Sequence, residues 1–186
     1  MRIFPLLALV LAASFLSTGC ALTAPVYGIS VSDVQQLKSA GNAPVAVKPF
    51  EAGPDANDSG IGVRASSATS PVNNSYAAYL TDALKQELSA ANKLAPDAQI
   101  EVSGVLTKND LNTSSFSTGY GDIEARFIVK RKGEVRYDHV KSNHTEFESS
   151  FVGAVAIPHA VNAYPNLVQG LLTNLCNDPA FIAALK

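Results

Sequence analysis

The chain has 186 residues, 47% of them hydrophobic, which suits one globular domain with a sizeable core plus a segment outside that core. Its 14 basic and 16 acidic residues give a formal net charge of −2, and this balance argues against the dense positive patch that nucleic-acid binding requires. The densest basic run, Lys130-Arg131-Lys132, lies at a predicted hairpin turn, where solvated charges are expected.

The first 19 residues carry the pattern of an export signal. One positive charge, on Arg2, precedes an apolar run over residues 3–16, and three small residues follow at positions 17–19. This combination is typical of a signal peptide that is removed after export. The run is shorter than the roughly 20 apolar residues that cross a bilayer, and Pro5 interrupts it.

The end of this segment, Leu16-Ser17-Thr18-Gly19-Cys20, resembles the bacterial lipobox, with Ser17 at the position where leucine is usual. The resemblance implies that the chain is cut before Cys20 and that the Cys20 thiol carries diacylglycerol, with fatty chains such as palmitate. Two or three such chains hold a protein in a membrane almost irreversibly. Two alternatives stay open: an ordinary secretory signal that ends near Ala21, and an uncleaved transmembrane anchor.

The residues after Cys20 predict a location and a linker. Ala21-Leu22 lacks the aspartate that retains enterobacterial lipoproteins in the inner membrane, so the expected location is the outer membrane, with the protein facing the periplasm. Pro25 and Gly28 discourage regular structure. Residues 20–42 are therefore expected to form a lipidated tether and one short helix over residues 33–39, capped by Ser32 and ended by Gly41.

Two strands and a long helix are predicted next. Residues 43–50 and 61–65 have the composition of strands, and polar loops are expected over residues 51–60 and 66–74. The clearest helix covers residues 76–94, with Asn74 or Ser75 as its cap. Its apolar stripe repeats at four-residue steps: Tyr76, Leu80, Leu84 and Leu88.

A series of antiparallel strands follows. Residues 99–108, 123–130 and 135–141 alternate between apolar and polar side chains, and the last strand is expected to continue towards Phe147. A loop is predicted over residues 109–121, a tight turn over residues 131–134, and a possible bulge at Gly104. The side chains expected to face the core are Ile100, Val102, Leu106, Ile123, Ala125, Phe127, Val129, Val135 and Tyr137.

The C-terminal stretch is predicted to be helical. Apolar residues recur at three- and four-residue steps from Val161 to Leu175, Pro158 suits a first helical turn, and Pro165 is expected to kink or restart the helix. Asn177-Asp178-Pro179 predicts a stop and a cap before a last helix over residues 180–185. The expected fold is α+β: a two-layer sandwich in which two main helices pack on one face of a mostly antiparallel sheet.

These elements together resemble the small YajG-like outer-membrane lipoproteins of Gram-negative bacteria, which are similar in topology to the auxiliary lipoproteins of envelope ABC transporters. The resemblance covers residues 43–186, and it rests on the order of elements and on the Leu-Leu-x-x-Leu stripe before Asn177. It implies a single periplasmic domain over residues 43–186 that acts through protein or lipid contacts. Cys20 is the only functional residue that it carries over.

No pattern of catalytic or metal-binding residues is evident. His139 and His144 are five residues apart on a predicted strand, so their side chains are expected on opposite faces, and no third ligand has suitable spacing. His159 is alone at a helix start. Asp122 and Glu124 share a strand face and are expected at an exposed edge. Since no Gly-x-Ser-x-Gly motif or phosphate-binding loop is present either, the sequence predicts a protein that is not an enzyme and holds no cofactor or metal.

Cys176 is the second cysteine of the chain. Its place beside Leu175 predicts burial in the core, as is common for free cysteines. An intermolecular or mixed disulfide in the oxidising periplasm is the alternative.

Two roles remain open at the level of sequence. The first is an adaptor or accessory subunit in envelope biogenesis or transport, which would contact a protein partner through a sheet edge or through the loops over residues 51–74 and 109–121. The second is a carrier or sensor that binds a small or lipidic ligand between helix and sheet. Its candidate lining residues are Tyr79, Tyr120 and Tyr164.

Overall fold

The computed structural model of the protein describes residues 21–186. The predicted signal peptide and the predicted lipid attachment at Cys20 lie outside the described residues. The described elements, in chain order, are β1 (Ala21–Thr23), α1 (Val31–Ser39), β2 (Val45–Val47), β3 (Glu51–Ala52), β4 (Ile61–Val63), β5 (Ser66–Thr69), α2 (Tyr76–Ala90), β6 (Ile100–Asn112), β7 (Thr118–Arg131), β8 (Glu134–Glu148), α3 (Gly153–Cys176) and α4 (Pro179–Ala184).

The described strands form two sheets, and the α+β fold class is confirmed. The larger sheet has the order β2-β6-β7-β8, and β3 also pairs with β6. β6, β7 and β8 form an antiparallel meander, whereas β2 and β3 run parallel to β6. The smaller sheet has the order β1-β5-β4, in which β1 and β5 are parallel and β4 and β5 antiparallel.

The meander strands bury one face and expose the other. Side chains alternate between buried and accessible along β6 and β7, as period-two patterning requires when one face covers the core. The predicted core residues Ile100, Val102, Leu106, Ile123, Ala125, Phe127, Val129 and Tyr137 are all buried. We call the opposite side, which carries Asp122, Glu124 and Arg126, the outer face.

Two bulges change which side chains face the core. A register shift between Val129 and Lys130 pairs Lys130, on the outer face, with Val135. Val135 is therefore half exposed, and its predicted inward position is wrong. A second shift, between Leu106 and Lys108, turns Asn109 into the core. Gly104, where a bulge was expected, instead leaves room for the ring of Phe50, which approaches to 2.3 Å of where a Cβ would lie.

Several predicted loops contain strands. Residues 51–60 begin with β3 and residues 66–74 with β5, and both strands are short. β6 and β7 extend far beyond their predicted ends, so the loop expected over residues 109–121 shrinks to residues 113–117. Conversely, only residues 45–47 of the strand predicted over residues 43–50 form β2.

The stretch expected to be an irregular tether is part of the folded body. β1 pairs with β5, Ala24 and Tyr27 are buried, and Gly28 accepts a hydrogen bond from Gln169 on α3. α1 begins at Val31, earlier than predicted, because Ser30 rather than Ser32 is its cap and accepts from the backbone N–H of Asp33.

The long helix α2 follows the prediction closely. Ser75 caps it by accepting from the N–H of Ala78 at 3.1 Å, and the whole predicted stripe is buried. α2 ends at Ala90, four residues earlier than predicted, and Asn92 just beyond it has a left-handed backbone (φ 57°). Residues in that conformation end helices.

α3 runs without interruption over 24 residues, although Pro158 and Pro165 lie inside it. The predicted first-turn place of Pro158 is thus wrong, and Pro165 does not restart the helix. Eleven buried residues of α3 provide packing that offsets the backbone N–H donors that the two prolines lack.

The predicted stop after α3 is confirmed: Asp178 caps α4 and pairs with Lys141 at 2.7 Å. The hydrogen bond from Lys141 is the main reason why the pKa of Asp178 falls to about 2.

Candidate functional site

A buried carboxylate holds the segment that leads from β1 to α1. Glu87 on α2 accepts hydrogen bonds from the hydroxyl of Tyr27 and from the backbone N–H of Ser30, both at 2.7 Å and both to its Oε1 atom. Its other oxygen, Oε2, has no partner among residues 21–186. Burial raises the pKa of Glu87, and these two hydrogen bonds oppose the shift only in part.

A second buried carboxylate and Cys176 lie in the same region. Asp33 on α1 accepts from the hydroxyl of Thr173 on α3 at 2.8 Å, so it joins α1 to α3. Cys176 is fully buried, as predicted, and burial raises the pKa of its thiol. A protonated, buried thiol is a poor nucleophile. These residues therefore hold the N-terminal segment, α1, α2 and α3 together and do not form an open site.

One end of the molecule exposes large apolar side chains. Phe116 lies in the β6–β7 loop, and Phe151, Val152 and Val155 lie where β8 leads into α3. Phe116 and Phe151 are about three-quarters exposed, at 73% and 74%, and their ring centroids are 5.6 Å apart. We call these four residues the apolar end. Sequence periodicity missed all four, but residues 149–158 form an uncharged stretch that marks Phe151, Val152 and Val155.

Arg64 holds the backbone beneath the apolar end. It lies in the β4–β5 turn with a left-handed backbone (φ 54°). Its guanidinium donates to the carbonyl oxygens of Thr113, Ser150 and Phe151. One side chain therefore ties together the β4–β5 turn, the β6–β7 loop and the β8–α3 connection. Arginine suits this role because its several N–H donors have a fixed geometry.

A polar cluster lies on the outer face of the large sheet. Asp122 lies opposite His144 in the β7–β8 register and contacts its Nδ1 atom at 2.9 Å and Lys108 at 3.3 Å. The hydrogen bond with His144 is the largest cause that lowers the pKa of Asp122. The ring of Tyr120 lies 5.6 Å from that of His144. Sequence reasoning named both Asp122 and His144 but did not pair them.

The other histidines do not join this cluster. His139 stacks on Tyr137 at 4.7 Å between ring centroids and lies on the opposite side of β8 from His144, as predicted. His159 contacts the carbonyl oxygen of Glu148 at 3.1 Å. Within residues 21–186, no three His, Cys, Asp or Glu side chains are grouped so that they could hold a metal ion.

The three tyrosines proposed to line a ligand cavity do not share one. Tyr79 and Tyr164 are fully buried, with ring centroids 5.4 Å apart, and Tyr164 donates to Asn109. Tyr120 lies on the outer face. An open depression of about 320 Å³ instead lies beside α2, with Phe50, Val72 and Lys85 among its lining residues.

No helix within residues 21–186 combines the length and the apolar character needed to cross a membrane.

The comparisons with known proteins define the fold. No protein-family model matches the sequence, and no curated protein matches it. Among solved structures, the fold is similar to that of protein XCC0632 from Xanthomonas campestris, described as DUF330, with a TM-score of 0.57 and 12% sequence identity. The alignment covers 84% of this chain and 92% of that one. Hypothetical protein CT253 from Chlamydia trachomatis aligns over 72% of this chain and 92% of its own, with a TM-score of 0.47 and 9% identity. At 12% identity, the similarity to XCC0632 shows a common fold alone.

Proposed function

We propose that this chain is a bacterial lipoprotein of the outer membrane, anchored by acyl chains on Cys20 and facing the periplasm, and that it acts as a non-enzymatic adaptor or accessory subunit in envelope biogenesis or transport. The lipobox-like residues 16–20 support the anchor. The YajG-like resemblance is part of the same proposal.

The observation that carries the anchor proposal is the position of β1, directly after Cys20 in the sequence. Ala21, the residue after Cys20, is already the first residue of β1 and pairs with Ser67. A signal peptide cut before Cys20 would therefore leave every described element intact. A cut several residues later would remove part of β1, which disfavours an ordinary secretory signal that ends beyond Ala21.

The adaptor role is supported by the architecture. We infer a two-layer sandwich in which the main helices α2 and α3 pack on one face of the large sheet, since the inward residues of β6 and β7 are buried and their outward residues are not. That arrangement leaves the outer face available to a protein partner in the envelope. The buried thiol of Cys176 and the His144–Asp122 pair do not place a nucleophile beside a base, which favours binding over catalysis.

A carrier or sensor role is the second candidate. The depression beside α2 supports it, because Phe50 and Val72 give this depression an apolar wall and Asp82 and Lys85 provide charged groups at its rim. Tyr79 and Tyr164 fill the space between helix and sheet in which such a ligand was first expected.

The anchor is tested by labelling cells with a palmitate analogue. The natural protein should take up the label and fractionate with outer membranes, and Cys20→Ser should lose both properties. Cys176→Ser is the matched control and should keep both, since only the anchoring cysteine accepts lipid. Label that persists in Cys20→Ser would contradict the proposal.

For the adaptor role, cross-linking in intact envelopes should capture a stoichiometric partner protein. A natural protein that cross-links to no envelope protein would count against this role.

A further inference from the structure

We infer that the apolar end is a membrane-docking surface, and that Phe116 and Phe151 insert into the interfacial layer of the same bilayer that holds the acyl chains of Cys20. This inference rests on the proposed lipid anchor and adds a second, non-covalent contact with the membrane. Its evidence is the position of the apolar end, its composition and its rigidity.

The apolar end lies at the same end of the molecule as the start of β1. In the parallel pair β1–β5, Ala21 is opposite Ser67, just after the β4–β5 turn that contains Arg64. Strand spacing and three residues of chain place Ala21 within about 15 Å of the Arg64 backbone. The guanidinium of Arg64 in turn contacts the carbonyl oxygen of Phe151 at 2.7 Å.

The course of the N-terminal segment agrees with this placement. Gly28 contacts Gln169 on α3 at 3.0 Å. The seven residues back to Ala21 span at most about 23 Å, and the helix from Gln169 back to Gly153 is about 24 Å long. That reach allows Ala21 to lie level with the first turn of α3, where Val152 and Val155 are exposed.

Composition distinguishes this end from the opposite one. Residues 113–121 and 149–158 contain no Asp, Glu, Lys or Arg, and Arg64 is the one charged residue over residues 61–69, which form β4, β5 and the turn between them. At the opposite end, the β7–β8 hairpin carries Lys130, Arg131, Lys132 and Glu134. Exposed aromatic rings on loops without charged residues suit the membrane interface, whereas a densely charged hairpin suits water.

The short covalent link between Cys20 and Ala21 argues that a bilayer, and not another partner, contacts the apolar end. One peptide bond joins Cys20 to Ala21, so consecutive Cα atoms are about 3.8 Å apart, and the acyl chains cannot reach the membrane unless this end of the body faces it. Arg64 also holds both aromatic loops in place before contact. Insertion therefore costs little ordering of the chain.

The chain contains no tryptophan, so a single introduced tryptophan reports its own surroundings. We would purify the lipidated protein, reconstitute it into vesicles of phosphatidylethanolamine and phosphatidylglycerol, and use lipids with a quencher on the acyl chain. Phe151→Trp should be quenched severalfold more strongly than Val135→Trp, a matched control that is half exposed at the charged end. Equal quenching of the two variants would overturn the inference.

A flexible spacer after Cys20 distinguishes insertion of the aromatic rings from a proximity to the membrane that the lipid anchor alone imposes. About 20 Gly and Ser residues between Cys20 and Ala21 give a flexible link of roughly 25 Å. If the apolar end inserts by itself, Phe151→Trp stays quenched with this spacer, and Phe116→Ser in the same protein reduces the quenching. Loss of quenching on adding the spacer alone would show that the tether, and not the rings, holds this end at the membrane.

The remaining outcomes identify other occupants. Emission of Phe151→Trp that shifts to the blue with protein concentration, without lipid quenching, would assign the surface to a second copy of the chain and overturn the inference. A protein that lacks acyl chains by intact mass and fails to float with the vesicles would overturn the anchor proposal as well. A protein that floats but is not quenched overturns the docking surface alone.

Discussion

Glu87 connects Tyr27 and Ser30 to α2, and the free energy of this connection depends on pH. Its Oε1 atom accepts from Tyr27 and Ser30, while its Oε2 atom is buried without a partner among residues 21–186. An ionised carboxylate in that position keeps half of its charge unsolvated, which is why burial raises its pKa. The folded state therefore favours the protonated form of Glu87 more than the unfolded chain does.

This shift predicts a pH dependence of stability. Because the pKa of Glu87 is higher in the folded state than in the unfolded chain, the folded state binds more protons between the two values. The contribution of Glu87 to the free energy of unfolding is therefore fully present below its ordinary pKa of 4.5 and is lost as pH rises through the folded value.

The variant Glu87→Gln tests this dependence. Glutamine keeps the acceptor oxygen and never ionises, so it should remove that part of the pH dependence and change stability at neutral pH by less than about 1 kcal/mol. Urea unfolding at several pH values measures the effect. The exposed residue Glu146 provides a control, Glu146→Gln, whose profile should match that of the natural protein. Parallel profiles for Glu87→Gln and the natural protein would refute the assignment.

At the scale of elements, sequence periodicity predicted the helices and strands that form by burying one continuous apolar face. The α2 stripe and the inward residues of β7 were correct because both elements bury one continuous face. β3 and β5 were missed because a run of two to four residues carries too little pattern. β3 becomes a strand by pairing with β6, and β5 by pairing with β1 and β4. The tether prediction failed for the same reason: the partner of β1 is 46 residues away.

The bulges explain why the outer-face cluster could not be predicted. Counting back from the tight β7–β8 turn without a bulge places Asp122 opposite Asn143. The register shift at Val129 moves Asp122 opposite His144, and the local sequence gives no sign of this shift. The exposed rings of the apolar end were missed because hydrophobic periodicity marks buried faces and not exposed side chains. Cys20 could be proposed from sequence, in contrast, because its modification depends on a local motif, and this assignment stays a prediction.

Gly104 shows how closely β6 is packed. A Cβ atom there would lie 2.3 Å from the Phe50 ring and 2.3 Å from the Arg126 carbonyl oxygen. The ring of Phe50 packs edge-on against Phe127 at 5.5 Å, so it has little freedom to move away. We expect Gly104→Ala to destabilise the protein by about 2–4 kcal/mol through overpacking.

A second glycine in a strand provides the control for this prediction. Gly62 in β4 is exposed, and no atom lies within 4 Å of where its Cβ would be. Gly62→Ala should therefore change the free energy of unfolding by less than about 0.5 kcal/mol. Chemical denaturation of both variants measures the difference. Similar stabilities for the two variants would show that the Phe50 contact is not tight.

At the scale of the whole molecule, residues 21–30 pack against elements that come much later in the chain. The small sheet needs β1, which comes first among the described elements, and the buried carboxylate of α2 needs Tyr27. The segment directly after the proposed anchor is thus part of the fold. A load on the anchor would be transmitted to β5 and α2 through backbone pairing and buried hydrogen bonds.

This packing predicts that the first ten described residues contribute strongly to stability. We would compare a soluble form that begins at Ala21 with one that begins at Val31. The shorter form loses the β1–β5 pairing, exposes the partners of Ala24 and Tyr27, and leaves Glu87 without its two donors. Together these losses amount to about 4 kcal/mol or more, which corresponds to a fall in Tm of roughly 10 °C for a domain of this size.

The matched control changes the same segment without removing its contacts. Val26 lies between the buried residues Ala24 and Tyr27 but is 75% exposed. Val26→Ser in the longer form should therefore leave the Tm within about 2 °C, since surface substitutions away from buried contacts have small effects. Scanning calorimetry gives all three values. An irregular tether would instead leave the Tm unchanged on truncation, and that result would show that β1 does not belong to the cooperative fold.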